Sequence, residues 1–91
     1  MVFSINFNEE KNQMLKATRG VSFEEIEQEI KEGGLLDDLD NPNKRSYPRQ
    51  KILVVKLRKY VYIVPYVIDK KRQVIFLKTI YPSRKFTKLY M

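Results

Sequence analysis

The chain has 91 residues, 43% of them hydrophobic, with no Cys, no His and a formal net charge of +7. That length and apolar share describe one globular domain, residues 1–91, with a modest core, and exclude a disordered basic tail. The two absences exclude disulfides and thiol chemistry, remove the usual ligands of zinc and remove imidazole as a general base. No metal or cofactor is therefore expected, and any catalysis must use Lys, Arg, Tyr, Ser or carboxylates.

Val2, Phe3, Ile5 and Phe7 predict a first strand over residues 2–7. Asn8 is an N-cap residue, and Glu9 and Glu10 occupy the first turn of the helix that follows, where its dipole favours them. This helix is expected to run to about Thr18 with Met14 and Leu15 inward, and Gly20 stops it. Ser22-Phe23-Glu24-Glu25 spells a capping box, so a second helix is predicted over 23–32, with Val21 stapled to Ile26. Phe23, Ile26 and Ile30 share one face of it, the glutamates face water, and Gly33-Gly34 ends it. After Leu35-Leu36, the stretch from Asp37 to Pro48 is poor in apolar residues and reads as a loop. Lys51–Arg58, Tyr60–Ile68 and Gln73–Tyr81 are dense in Val, Ile, Leu and Tyr, and their short breaks predict an antiparallel meander. Pro65 inside the middle run implies a bulge or bend. Ser83 can cap a final helical turn or two over 84–90. The expected fold is α+β: two N-terminal helices packed on a four-stranded, mainly antiparallel sheet in the order β-α-α-β-β-β, with a short C-terminal helix. No apolar run reaches ~18 residues, so no membrane span is expected. The N-terminus lacks the pattern of a signal peptide, and a cytosolic protein is the expectation.

Charge is divided along the chain. Residues 1–43 carry a net −6 and residues 44–91 a net +13, with Asp69 the single acid of the second half. A segment so charged repels itself, and an anionic partner relieves the repulsion. Nucleic acid, an acidic membrane surface and an acidic protein all qualify. The competing view is that the acidic helices neutralise the basic sheet. Strict alternation along the meander sorts it into two faces. Leu53, Val55, Leu57, Val61, Ile63, Val67, Ile75, Leu77 and Thr79 form an apolar face expected under the helices. Ile52, Val54, Lys56, Arg58, Tyr60, Tyr62, Val64, Tyr66, Val74, Phe76, Lys78 and Ile80 interleave rings with cations, a combination that stacks unpaired bases and holds phosphates. The alternative is that the C-terminal segment covers this second face.

The order of strand, two helices and three-stranded meander resembles the RelE/ParE superfamily of bacterial toxins. Phe7-Asn8-Glu9-Glu10-Lys11 followed by Gly20-Val21-Ser22-Phe23-Glu24-Glu25 resembles the opening of BrnT-type toxins. Pro82-Ser83-Arg84-Lys85-Phe86-Thr87-Lys88 resembles the closing Ala-Arg-Lys-Ala-Thr-Lys pattern of that family. The likeness covers both ends of the chain and extends to the middle through strand layout. It departs at Arg19, where many BrnT-like chains have His. The resemblance implies a RelE-like fold and the toxin of a type II toxin–antitoxin pair, a metal-independent ribonuclease that inhibits translation. Its implied partners are RNA, including ribosome-associated mRNA, and a cognate antitoxin that itself binds DNA.

Metal-free cleavage must deprotonate the 2′-OH, stabilise the phosphorane charge and protonate the 5′-oxygen. Lys56, Arg58, Lys78 and Arg84 are the candidate phosphate clamp, supported by Lys85 and Lys88; Tyr62 and Tyr66 are the stacking candidates. Tyr81 and Tyr90 are the proton-transfer candidates, since neighbouring cations can depress a phenol's pKa. Two rivals use the same basic surface without turnover: an RNA- or DNA-binding module, and a domain that docks an acidic protein.

Overall fold

A computed structural model describes residues 4–91. In chain order its elements are β1 (Ser4–Phe7), α1 (Glu9–Arg19), α2 (Phe23–Lys31), β2 (Leu35–Asp40), β3 (Lys51–Leu57), β4 (Tyr60–Asp69), β5 (Val74–Leu77), β6 (Tyr81–Pro82) and α3 (Arg84–Tyr90). Val2 and Phe3, expected to open the first strand, lie outside the described residues. No helix among the described residues is long and apolar enough to cross a membrane.

The helix boundaries follow from local chemistry. Asn8 accepts the Lys11 amide, and Gly20 closes α1 at φ 66°, where a Cβ would be strained. Both halves of the capping box form at α2, between Ser22 and Glu25. Ser83 caps α3 by accepting the Phe86 amide at 3.1 Å. Asn12 joins the first two helices: its Oδ1 accepts the Phe23 amide at 2.8 Å and its Nδ2 donates to Glu24 Oε1 at 2.8 Å. Leu15 turns inward as expected, whereas Met14 is 47% exposed and belongs to the solvent side.

The architecture is α+β, but the sheet is mixed and has six strands. Its order is β1-β5-β4-β3-β2, with β6 pairing β4 beside β5. β1, parallel to β5, lies at one edge and β2 at the other, so α1 and α2 carry the chain across one face between them. Two departures account for the difference from four antiparallel strands. Leu35–Asp40 is an edge strand paired with β3, although three aspartates lower its strand propensity. The predicted last strand is interrupted between Leu77 and Tyr81.

Pro65 explains that interruption. On β4, Val61 and Pro65 turn their carbonyls towards the β5–β6 side, accepting from Ser83 and Lys78 at 2.9 and 2.8 Å. Pro65 has no N–H to return, so the ladder opens there. The register shifts by one residue between the pairs Tyr66↔Leu77 and Ile63↔Tyr81. This is the bulge anticipated from Pro65, carried on the neighbouring strand. It reverses the side-chain order: Ile80 enters the helix-side core and Tyr81 turns to the other face.

A second reversal arises at the β3–β4 turn. Arg58, at φ 60°, and Lys59 form a two-residue turn that sets Leu57 opposite Tyr60 and Val55 opposite Tyr62. Odd-numbered residues of β3 therefore share a face with even-numbered residues of β4. The helix-side core consequently holds Leu53, Val55 and Leu57 with Val64 and Tyr66, and Tyr62 packs against it. Ile52, Val54, Val61 and Ile63 form the opposite cluster, covered by Phe86 of α3 together with Leu36 and Leu39. The expected grouping of Val61, Ile63 and Val67 with Leu53, and of Tyr62 and Tyr66 with Lys56, is thus corrected by one step of register.

Candidate nucleic-acid interface

The register divides the sequence-predicted residues among three places. Arg58, Tyr62 and Tyr66 belong to the helix side. The Arg58 guanidinium donates to Glu25 Oε2 and makes an ion pair there. Tyr66 is 3% exposed, and its hydroxyl donates to Asp38 at 2.7 Å, which leaves no ring face for a base. Burial and the Asp38 carboxylate push its pKa far above the ordinary phenol value. Tyr62 is half-buried and meets Tyr60 edge-on at 5.8 Å.

Lys56, Arg84, Lys85, Lys88 and Tyr90 are exposed around α3 or the strand beneath it. The α3 helix is fastened to β4 at its start, where the Ser83 amide reaches Val61 O at 2.9 Å and the Val61 amide reaches Thr87 Oγ1 at 3.0 Å. Its end is tied to β2 by the Tyr90 hydroxyl, which donates to Asp37 at 2.9 Å; that bond raises the phenol's pKa. The C-terminal segment therefore covers the lower part of the second face, one of the two outcomes considered for it.

Lys78 and Tyr81 occupy the third place, the uncovered part of that face. They flank the bulge and open into a cleft of about 530 Å³. Pro65, Thr79, Lys78 and Tyr81 come from β4 and the bulge, Asn41, Asn43, Tyr47 and Gln50 from the β2–β3 loop, and Lys11 of α1 also lines the cleft. No carboxylate lines it. Lys78 extends its ammonium over the Phe76 ring at 5.2 Å from the centroid. Two rings remain accessible, Tyr47 at 48% and Tyr81 at 39% exposure. Desolvation pushes the Tyr81 pKa up, opposite to the depression expected of a phenol among cations, so it stays a neutral hydrogen-bonding group.

The loop wall is ordered by its own amides. Asn41, almost fully buried, accepts the Asn43 amide at Oδ1 (2.9 Å) and donates Nδ2 to Gln50 Oε1 (3.2 Å). Its backbone amide donates to Gln50 O at 3.2 Å, which closes the loop base. Sequence reasoning dismissed this stretch as a loop and missed Asn41, Asn43, Tyr47, Gln50 and Lys11. The available signal was Asn-Pro-Asn, a turn former, preceding Tyr47 and two arginines.

The charge division is partly neutralised. Lys44, Lys51, Arg58 and Arg72 of the basic half pair with carboxylates. The other cations of that half, Lys78 and Arg84 among them, make no ion pair among the described residues. A second concavity, about 260 Å³, lies on the helix side between Ile30, Leu35, Leu53 and Ile75. Its polar rim is consumed internally, since Asp38 takes both Tyr66 and Lys51. Of these two concavities among the described residues, the cleft beside the bulge offers unpaired cations, open rings and no acid. The chain matches no protein-family model, no curated protein and no solved structure.

Proposed function

We propose that this protein binds single-stranded RNA in the cleft between the 41–50 loop and the 78–81 bulge, and that it acts in the cytosol as the toxin of a type II toxin–antitoxin pair. The observation that carries the binding reading is the composition of the cleft: Lys78, Lys11, Tyr47, Tyr81 and three side-chain amides, without a carboxylate. Cations beside open rings suit a strand whose bases are unpaired. The toxin reading rests on the resemblance of the chain ends to BrnT-type sequences, and its implied antitoxin is a small DNA-binding protein.

In cleavage, Lys78 and Arg84 would stabilise phosphate charge and the neutral Tyr81 phenol would donate a hydrogen bond. The separation of their anchor points favours a separate phosphate for Lys78 and for Arg84. The amides of Lys78 and Ser83 are anchored to β4 carbonyls four residues apart, a spacing of about 13 Å along a strand. Each cation would hold its own phosphate, with Lys85 and Lys88 extending the track along α3.

Two observations favour a second reading, binding without turnover: the cleft contains no carboxylate, and its phenol is shifted away from the range of a general base. Inducible expression separates the two. A toxin arrests growth and degrades RNA in the presence of a chelator; a binding module retains RNA at low salt and does neither. Failure to retain RNA at any salt concentration would overturn both.

A further inference from the structure

Resting on the RNA-binding reading, we infer that the cleft prefers uracil over the other bases, and that Gln50 and Asn43 set this preference. The argument is an inventory of donors and acceptors. A backbone N–H is an unambiguous donor, so the Asn43 amide fixes Asn41 with Oδ1 towards it and Nδ2 towards Gln50. Gln50 must then present Oε1 to Asn41, and its Nε2 is left without a protein acceptor among the described residues. The same logic applies to Asn43. Its Oδ1 accepts the Ser46 amide at 3.3 Å, and its Nδ2 is left over. Both residues line the cleft.

The result is a wall with spare N–H donors, in which each of the three amide oxygens already accepts one protein N–H. Lys78 adds further donors, and no carboxylate is present to accept. Tyr47 and Tyr81 supply ring faces on which a base can stack. Adenine, cytosine and guanine each carry an exocyclic amino group that needs an acceptor. Uracil carries none: its one base-edge donor is the ring N3–H, which a Tyr47, Tyr81 or Thr79 hydroxyl can accept, and its two keto oxygens suit the spare donors. An amino group brought into the cleft loses water and meets only hydroxyls and amide oxygens that already accept a bond, with no carboxylate for its two N–H groups, which disfavours those three bases.

The test uses 2′-O-methyl RNA decamers of uridine, cytidine and adenosine. These lack the free 2′-OH that cleavage requires, so binding is read without turnover. Fluorescence anisotropy at one low salt concentration should give tighter binding to the uridine decamer by about tenfold. Gln50→Glu keeps an oxygen for Asn41 but replaces the free donor with an acceptor, and Asn43→Asp does the same at the second position. Both lower affinity for every decamer through added negative charge, so the quantity to follow is the ratio of uridine to cytidine affinity. That ratio should fall towards unity in each variant, with the thermal midpoint confirming that each remains folded. Equal binding of the three decamers by the parent would overturn the base preference and leave RNA binding standing. A uridine preference unchanged in both variants would overturn the assignment to Gln50 and Asn43. No binding of any decamer would remove the RNA reading itself.

Discussion

The backbone amide of Lys78 donates to the carbonyl of Pro65 at 2.8 Å, and the chain bulges immediately after that bond. One missing N–H thus decides which way the next residues point. Lys78 stays on the open face, Ile80 goes into the helix-side core and Tyr81 returns to the open face beside the cleft. The local consequence of a proline is the geometry of the candidate site.

Core and cleft should separate on substitution at the bulge. Ile80 is fully buried, so Ile80→Ala should cost about 2–4 kcal/mol in unfolding free energy. Lys78→Ala should cost no more than ~0.5 kcal/mol. The RNA phenotypes should invert: Lys78→Ala weakens binding while the protein stays folded. Chemical denaturation and RNA titration of the two variants provide the check. A large stability loss at Lys78 would make that cation structural.

Tyr66 tests the corrected register. Tyr66→Phe removes the bond to Asp38 and should destabilise the fold by about 1 kcal/mol, because it leaves that hydrogen bond unmade on the helix side. RNA affinity should be unchanged. Loss of affinity without loss of stability would return Tyr66 to the stacking role read from its sequence.

The same residue gives a pH dependence with a definite sign. Its folded-state pKa is raised, so the folded protein keeps a proton that the unfolded chain releases near pH ~10. The stabilisation is fully present below that pH and is lost as pH rises above it. Denaturant midpoints measured from pH 8 to 11 should fall at the alkaline end, and Tyr66→Phe should flatten part of that fall. A parent midpoint that rises over this range would contradict the assignment.

Ser83 anchors α3 twice, through its side chain at the helix N-cap and its amide on Val61. Ser83→Ala removes the cap alone and should cost about 1 kcal/mol. Because α3 carries Phe86 over Ile52, Val54, Val61 and Ile63, amides of those strands should exchange faster with deuterium in the variant. Unaltered protection there would mean that α3 does not seal the cluster.

The parts legible in the sequence were those decided by neighbours in the chain. The Asn8 cap, the Ser22–Glu25 box, the Gly20 stop, the Ser83 cap and the disturbance at Pro65 each depend on residues within a turn of one another. The turn at Arg58-Lys59 was also visible, but its parity was not drawn from it, and one step of register moved Tyr62 and Tyr66 to the other face. β2 was hidden because Leu-Leu-Asp-Asp-Leu-Asp holds strand geometry only through pairing with β3. The parallel contact of β1 with β5 is non-local and leaves no sequence mark. In the candidate site, Lys78 is legible as a cation that interrupts an apolar strand, and Tyr81 as a proton-transfer candidate, a role its raised pKa does not favour. Asn41, Asn43, Tyr47 and Gln50 are not legible there, because only the tertiary fold brings that loop against the bulge.

The cleft as an RNA interface is tested most directly by backbone amide NMR during titration with a non-cleavable uridine decamer. The expected result is a set of shift changes concentrated in residues 41–50 and 78–81, extending to α3 and sparing α2. Those changes should reverse as salt is added, as release of counterions by a phosphate-bound protein requires. Changes confined to α2 and the helix-side concavity, or no changes at low salt, would contradict it.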